Sequence, residues 1–344
     1  MDDRKVFVVL GITGNQGGSV ARTFLSDPEQ RKKYRLRGLS RDPSSPACQA
    51  LRAAGVEEIV EADVHDPSSL DRAFEGASVI FSVTDFWHPF HNPKNQEKAK
   101  QLGKSIGEYA YELEYEQGRN IADAAAKVKT LDRMVVSMLN SPKKWSSGKY
   151  NKLWHYESKA DMVTYIKEQL PHLAAKTSWL NMGVFYTSWK FLSLTAPNKM
   201  PDGSHKMTLP TNPDTPVPLV DARYDTGPFT RALLQVKPGI NLYGETFLGT
   251  WKEYMRIWGE IMQVPTSYEQ VSVESYDKAI PGGFGREVAE MFEYMGEFGY
   301  DGGDPEQVKK EDLGIEIPDL TSVEWYIRHE DWSSVGIDKV PAPQ

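Results

Sequence analysis

At 344 residues the chain has room for one large α/β domain with an appendage or for two domains, and 40% hydrophobic with 26% charged residues is ordinary for a protein that buries a real core. The 40 Lys and Arg against 48 Asp and Glu leave a net charge of −8, the wrong sign for tracking a nucleic-acid backbone. The single cysteine, Cys48, excludes an intramolecular disulfide and a multi-thiolate zinc site. With no cationic-then-apolar leader and no apolar run of membrane length, the expected address is the cytoplasm.

Residues 1–85 alternate β-rich runs with helix-like segments. Val6-Phe7-Val8-Val9-Leu10 is apolar on both faces, as a central parallel strand must be, and a helix follows from about Gly17 to Ser26. Tyr34 to Ser40 reads as a second strand, and Pro46 and Gly55 bracket the next helix with proline first and glycine last. Glu57 to Ala62 is a third strand; Asp66 caps a helix that Gly76 stops; Ala77 to Thr84 is a fourth strand. Three βα units in succession predict a Rossmann-type, doubly wound parallel sheet.

Between Phe90 and Lys129 the chain is polar with few helix breakers and predicts one long helix or two. Leu131 to Ser137 is a fifth strand, Tyr156 to Gln169 a helix, and Thr177 to Gly183 a sixth strand. From about Lys190, prolines crowd together (Pro197, Pro201, Pro210, Pro213, Pro216, Pro218) and mark the start of a loop-rich second lobe. Trp251, Tyr254, Met255, Trp258 and Met262, and then Val288, Met291, Phe292 and Met295, fall at helical spacing and read as core stripes. The acidic, Gly/Pro-rich stretch from Gly299 to Asp319 reads as solvated loop. The organisation expected is a dinucleotide-binding body over residues 1–190 and a smaller C-terminal α/β lobe over 191–344, interleaved with it.

The chemistry begins at Gly11-Ile12-Thr13-Gly14-Asn15-Gln16-Gly17, a G-x-x-G-x-x-G loop between the first strand and its helix. Such glycines allow a tight turn, close approach of backbone to a pyrophosphate and close helix–strand packing, with the helix N-terminus facing the phosphates. The end of the second strand selects the dinucleotide: a 2′-hydroxyl calls for an acid there, a 2′-phosphate for a cation. Here it reads Ser40-Arg41-Asp42, so Arg41 favours NADP(H), while Asp42 could pair with Arg41 and blunt the preference. Asp63, with Val64 beside it, is placed either to reach the adenine edge or to bond backbone amides of the loop leading to Asp66.

Gly11 to Val20, Ser40-Arg41-Asp42-Pro43, Ala62-Asp63 and Val83-Thr84-Asp85-Phe86-Trp87 together resemble the NmrA-like family of atypical short-chain dehydrogenases, which includes fungal nitrogen-metabolite regulators and animal NADPH sensors. Leu209-Pro210 and Val217 to Leu234 extend the resemblance to nearly the whole chain, and His88 to Glu116 is similar to a longer variant common in fungal members. The resemblance implies that Thr84, Asp85 and Phe86 flank the cofactor ribose and that Val184, Phe185, Tyr186 and Thr187 line the nicotinamide end.

Short-chain dehydrogenases carry Tyr-x-x-x-Lys on the helix after the fifth strand, with a Ser on that strand. In Trp154-His155-Tyr156-Glu157-Ser158-Lys159, the lysine is four residues after His155 but three after Tyr156, so the Tyr is turned about 100° away and His155 stands in the proton-donor position. A nucleotide-sugar epimerase, which needs the in-register Tyr, is therefore disfavoured. Two readings follow. In the first, His155 (or Tyr156) is the general acid, Lys159 binds the cofactor ribose and Ser137 orients a small-molecule substrate whose carbonyl or activated double bond NADPH reduces. In the second, the dyad is degenerate and the protein reports the NADPH/NADP ratio to a regulatory partner such as a transcription factor, which would add the nucleus to its addresses.

Phe86, Trp87, His88, Phe90 and His91, with Trp145, Tyr150, Trp154 and Tyr156, cluster near carboxyl ends of strands and suit an aromatic or polyketide-like substrate, unless the bulky loops simply pack on one another. His88 and His91 lack the further ligands of a zinc site, and no metal is expected. Lys143, Lys144, Lys149 and Lys152 form a basic stretch, either a solvated face or a dock for an acidic group. An oligomer is compatible with all of this.

Overall fold

The computed structural model describes residues 3–192 and 195–342. Its strands in chain order are β1 (Lys5–Val9), β2 (Tyr34–Ser40), β3 (Glu58–Glu61), β4 (Ala77–Ser82), β5 (Arg133–Met138), β6 (Thr177–Met182) and β7 (Val184–Phe185). There follow β8 (Asn198–Lys199), β9 (His205–Leu209), β10 (Pro216–Val220), β11 (Asn241–Gly244), β12 (Phe247–Thr250), β13 (Thr266–Gln270) and β14 (Gln307–Val308). Eight of them form one sheet in the order β3-β2-β1-β4-β5-β6-β11-β14, and every pairing in it is parallel. The sheet is the doubly wound Rossmann type expected from the sequence. Strand order reverses at β1, and a crevice opens at the carboxyl ends of strands on either side of such a reversal.

The reason is visible in β1, where Phe7, Val8 and Val9 are all fully buried. Val6, Val8 and Leu10 pack on Leu70, Phe74, Ile121 and Met134 on one face, while Phe7 and Val9 pack on Phe24, Phe229 and Leu233 on the other. A strand covered on both faces must be apolar throughout, and its neighbours must be parallel strands joined by covering helices. Two three-stranded sheets, β12-β10-β7 and β13-β9-β8, belong to the second core. There Tyr186 stacks on Tyr326 at 4.5 Å and Trp189 on Trp332 at 4.7 Å, joined by Trp258, Phe292 and Met295. The two periodic stripes lie on the helices Trp251–Met262 and Phe284–Phe298 and are buried, as their spacing predicts.

The structure departs from the sequence reading in two places. Residues 90–129 hold parts of three helices, Trp87–His91, Pro93–Gln101 and Ile106–Ala126, because Asn92 caps the second at the amide of Lys94 and Gly103 (φ +69°) breaks it before Ser105 caps the third. The stretch from Gly299 to Asp319 is not solvated throughout. It contributes β14 to the sheet edge, Tyr300 is buried with its hydroxyl donating to the Met182 carbonyl, and Asp304 accepts from the Asn140 amide at 2.9 Å. A sheet edge satisfied by chain of any composition explains the difference, since backbone pairing is blind to side-chain polarity.

The C-terminal segment is held by a buried acid. Asp225 accepts from the amide and hydroxyl of Thr321, each at 2.8 Å, and from the amide of Asp221 at 2.9 Å. Burial pushes its carboxyl up to about 6 against those donors. A raised folded-state value means that protonation favours the folded chain. This contribution is complete below about pH 4 and is lost as the pH rises through about 6. Relative to Asp225→Asn, the wild type should therefore lose stability between those limits, measured as the difference in urea-unfolding free energy at each pH. A difference independent of pH would refute the assignment.

Candidate functional site

The glycine loop sits at the carboxyl end of β1. Gly11 has φ +59°, and its carbonyl accepts from the Gly14 amide at 2.8 Å, closing the turn. A Cβ on Gly17 would lie 2.3 Å from the Gly11 oxygen and 2.6 Å from that of Leu10, so only glycine lets the helix Asn15–Ser26 pack this closely on the turn. That helix begins at Gly14 with no side-chain cap and no acid in its first turn, whereas the helices after β2 and β3 are capped by Ser45 and Asp66. Its first amides are therefore left for an anion. Gln16 Oε1 and Thr84 Oγ1 are buried beside this edge with no hydrogen-bond partner. A cradle without Cβ atoms, an uncapped helix start and orphaned polar atoms fit a dinucleotide pyrophosphate. Thr13, Gly14 and Asn15 are exposed for contact; the Ile12 side chain instead packs on Gly38 of β2, leaving only its backbone to face a ligand.

Arg41 is exposed just past β2, with Nη1 3.2 Å from His88 Nε2. Asp42 does not turn to it. The Asp42 carboxylate accepts from the hydroxyl and the amide of Ser44, which hold it below the usual carboxylate range. Asp63 accepts from the His65 amide at 2.9 Å, the backbone role of its two foreseen alternatives, and the Val64 carbonyl accepts from Asn120 at 3.0 Å. After β4, Asp85 caps the short helix at the Trp87 amide and Phe86 is buried. Val184 and Phe185 are half-buried on β7, while Tyr186 and Thr187 are buried, Tyr186 in the second core.

The second cluster forms where the helix Trp154–Gln169 begins. His155 is buried; its Nδ1 lies 2.7 Å from Glu287 Oε1, and the same oxygen accepts from the His155 amide at 3.0 Å. Trp87, Phe86 and Tyr156 surround the imidazole with ring centroids at 5.0, 5.8 and 4.8 Å. Tyr156 points away into the lobe core, beside Tyr294 and Tyr300, and burial there pushes its phenol well above the ordinary value. One helical step thus gives adjacent side chains different polar partners while their rings stay in contact. Ser137 is buried on β5. Of the basic stretch, Lys149 pairs with Glu297 and Lys144 lies 4.3 Å from the Trp145 ring centre.

Lys159 reaches Glu114 Oε1 at 2.5 Å, and Ser158 donates to the other oxygen of the same carboxylate. Glu114 is almost wholly buried on the helix Ile106–Ala126. An ammonium has three donors and this contact uses one, so Lys159 is aimed without being exhausted. Neither Glu287 nor Glu114 was singled out from sequence. They lie 132 and 45 residues from their partners, and no local spacing connects them. Glu114→Gln would keep a partner for Ser158 but leave a nearly buried ammonium uncompensated, at a cost of roughly 3–5 kcal/mol by chemical denaturation. A loss under about 1 kcal/mol would mean that solvent screens the pair.

With this geometry in place, comparison with known proteins gives a consistent answer. The NmrA-like family matches residues 3–330. The NmrA-like family domain-containing oxidoreductase hkm9 of Aspergillus hancockii is 37% identical over 123 residues, covering 36% of this chain and 30% of the relative, so the matched stretch spans under a third of that protein. Among solved structures, NmrA, a negative transcriptional regulator crystallised with NADP, superposes with TM-score 0.68 at 17% identity over 95% of both chains. The Citrobacter sp. triphenylmethane reductase complexed with NADP(H) gives 0.64 at 14% identity over 96% of this chain and 99% of its own. At such identities the structures speak for the fold. With the family match running over nearly the whole length, the chain belongs to the NmrA-like family.

Proposed function

We propose that this protein is an NADP(H)-dependent oxidoreductase that reduces a carbonyl or activated double bond of an aromatic or polyketide-like small molecule. The observation that carries the reading is the buried His155–Glu287 pair, at 2.7 Å. A carboxylate on Nδ1 fixes the imidazole orientation and balances a positive charge on the ring, so the proton to be given away sits at Nε2. When bound, the nicotinamide supplies the hydride. Lys159, aimed by Glu114, has donors left for the ribose; Ser137 is the hydroxyl partner; Tyr156 is turned into the lobe core and has no part in proton transfer. Arg41, freed from Asp42, receives the 2′-phosphate. The body that binds the dinucleotide comprises residues 1–190 and the lobe 191–344, with β11 and β14 returning to the body's sheet. The oxidoreductase name of the fungal relative supports this reading.

A second reading, a non-catalytic NADPH sensor acting on a regulatory protein, is favoured by the rings packed on His155: Phe86 and Phe90 are buried in a cluster with Trp87, Trp154 and Phe284, so part of the aromatic wall is filled by its own members.

Titration with both reduced cofactors tests the first step: NADPH should bind more tightly than NADH, and Arg41→Ala should weaken NADPH binding by about tenfold or more while sparing NADH, the loss of a charge-assisted contact. Equal affinities in the wild type would remove the Arg41 assignment. Turnover tests the second. With a panel of aromatic ketones and quinones, His155→Ala should slow NADPH oxidation by about 10²–10⁴-fold, and Tyr156→Phe should leave it nearly unchanged. Unchanged turnover in His155→Ala removes the acid, and an NADPH-binding protein that turns over no member of the panel is the sensor.

A further inference from the structure

The contact between Arg41 and His88 joins two segments 47 residues apart in the chain. Arg41 follows β2, His88 lies on the helix after β4, and these two strands flank β1, so the side chains reach toward each other across the carboxyl end of the strand that carries the glycine loop. A guanidinium only donates, so in this contact His88 Nε2 accepts and the imidazole is neutral. The neighbouring acids are spent elsewhere: Asp42 on Ser44, and Asp85 on the amides of Trp87 and His88, at 3.0 and 3.4 Å. Among the described residues no ion pair engages Arg41. The Ser40 hydroxyl oxygen accepts from the Asp42 amide at 3.1 Å, which leaves its hydrogen to donate. The result is an exposed cation and an imidazole held together beside an anion-ready loop, with the carboxylates of Asp42 and Asp85 turned to other donors.

We propose that His88 is a specificity-determining residue which, with Arg41, clasps the 2′-phosphate of the cofactor's adenosine ribose. The proposal rests on the NADP(H) reading above and deepens it. A neutral imidazole is a poor partner for a guanidinium compared with a phosphate dianion, so the anion displaces it. With its ring hydrogen at Nε2, the imidazole changes from acceptor to donor and joins Arg41 on the phosphate. A ribose with a free 2′-hydroxyl offers no anion and leaves the Arg41–His88 contact as it stands. Discrimination between the two cofactors is thus shared between strand ends on both sides of β1.

The test uses the full chain and titrates NADPH, NADH, 2′,5′-ADP and 5′-AMP by calorimetry. Loss of one charge-assisted hydrogen bond predicts that His88→Ala weakens NADPH and 2′,5′-ADP by about tenfold or more and changes NADH and 5′-AMP by less than about twofold. His88→Arg, which restores a donor, should recover most of the discrimination. His88 is exposed, and circular dichroism verifies that each variant is folded. If wild type binds NADPH well and His88→Ala binds it equally well, His88 has no such role and the cofactor reading stands. Equal weakening of all four ligands assigns His88 to the shape of the loop and also overturns the proposal. Should the wild type bind neither NADPH nor 2′,5′-ADP, the cofactor reading itself fails and this inference falls with it.

Discussion

A carboxylate withdrawn from water has to find donors inside the protein, and among the described residues Glu287 finds them on one residue, the amide and the ring nitrogen of His155. The helix Trp154–Gln169 has no side-chain cap of its own. Glu287, from the helix Phe284–Phe298, serves as that cap from a distant part of the chain and at the same time fixes the imidazole. The junction is tight on its third side as well: a Cβ at Gly107 would lie 2.5 Å from the Trp154 ring and 3.4 Å from Glu287 Oε2, so the helix Ile106–Ala126 approaches only because the residue is glycine. Three helices from distant parts of the chain therefore meet at one buried charge. Breaking such a pair leaves an uncompensated group in a low-dielectric setting, which makes this contact a strong determinant of how the three helices pack.

The same economy explains how a protein with net charge −8 keeps an anion-ready edge. Acids near the glycine loop are consumed by turns and caps: Asp42 by Ser44, Asp63 by the His65 amide, Asp66 by the Ser68 amide, Asp85 by the Trp87 amide. Glu114 is consumed by Ser158 and Lys159. The donors left free for an anion there are those of Arg41 and of the uncapped start of the helix Asn15–Ser26. Binding responds to this local field more than to the total.

Much of the body was legible because its signals are local. A strand buried on both faces must be apolar in every position, as Val6 to Leu10 is, and a turn that admits no Cβ must be glycine, as Gly17 is. Caps and breakers were equally readable at Pro46, Asp66, Gly55 and Gly76. At the start of the helix Trp154–Gln169 the His155 ring turns to Glu287 while the Tyr156 ring, 4.8 Å from it, reaches Tyr294 and Tyr300, since one step on a helix is a fixed rotation. The stretch from Phe90 to Lys129 was less readable, because Asn92 and Gly103 interrupt a helix-favouring composition with single-residue signals.

By itself, then, the sequence determined the parallel sheet, the glycine turn and the cationic end of β2, all of which follow from backbone sterics, burial of apolar runs and the choice of one charged residue. Only the tertiary structure decided the partners. Glu287 for His155, Glu114 for Lys159 and His88 for Arg41 are pairings across 132, 45 and 47 residues, and a pairing of side chains carries no periodicity along the chain. Where the Asp42 carboxylate turns was likewise decided by folding: it takes the amide and the hydroxyl of Ser44, two residues on, and among the described residues it forms no ion pair with Arg41.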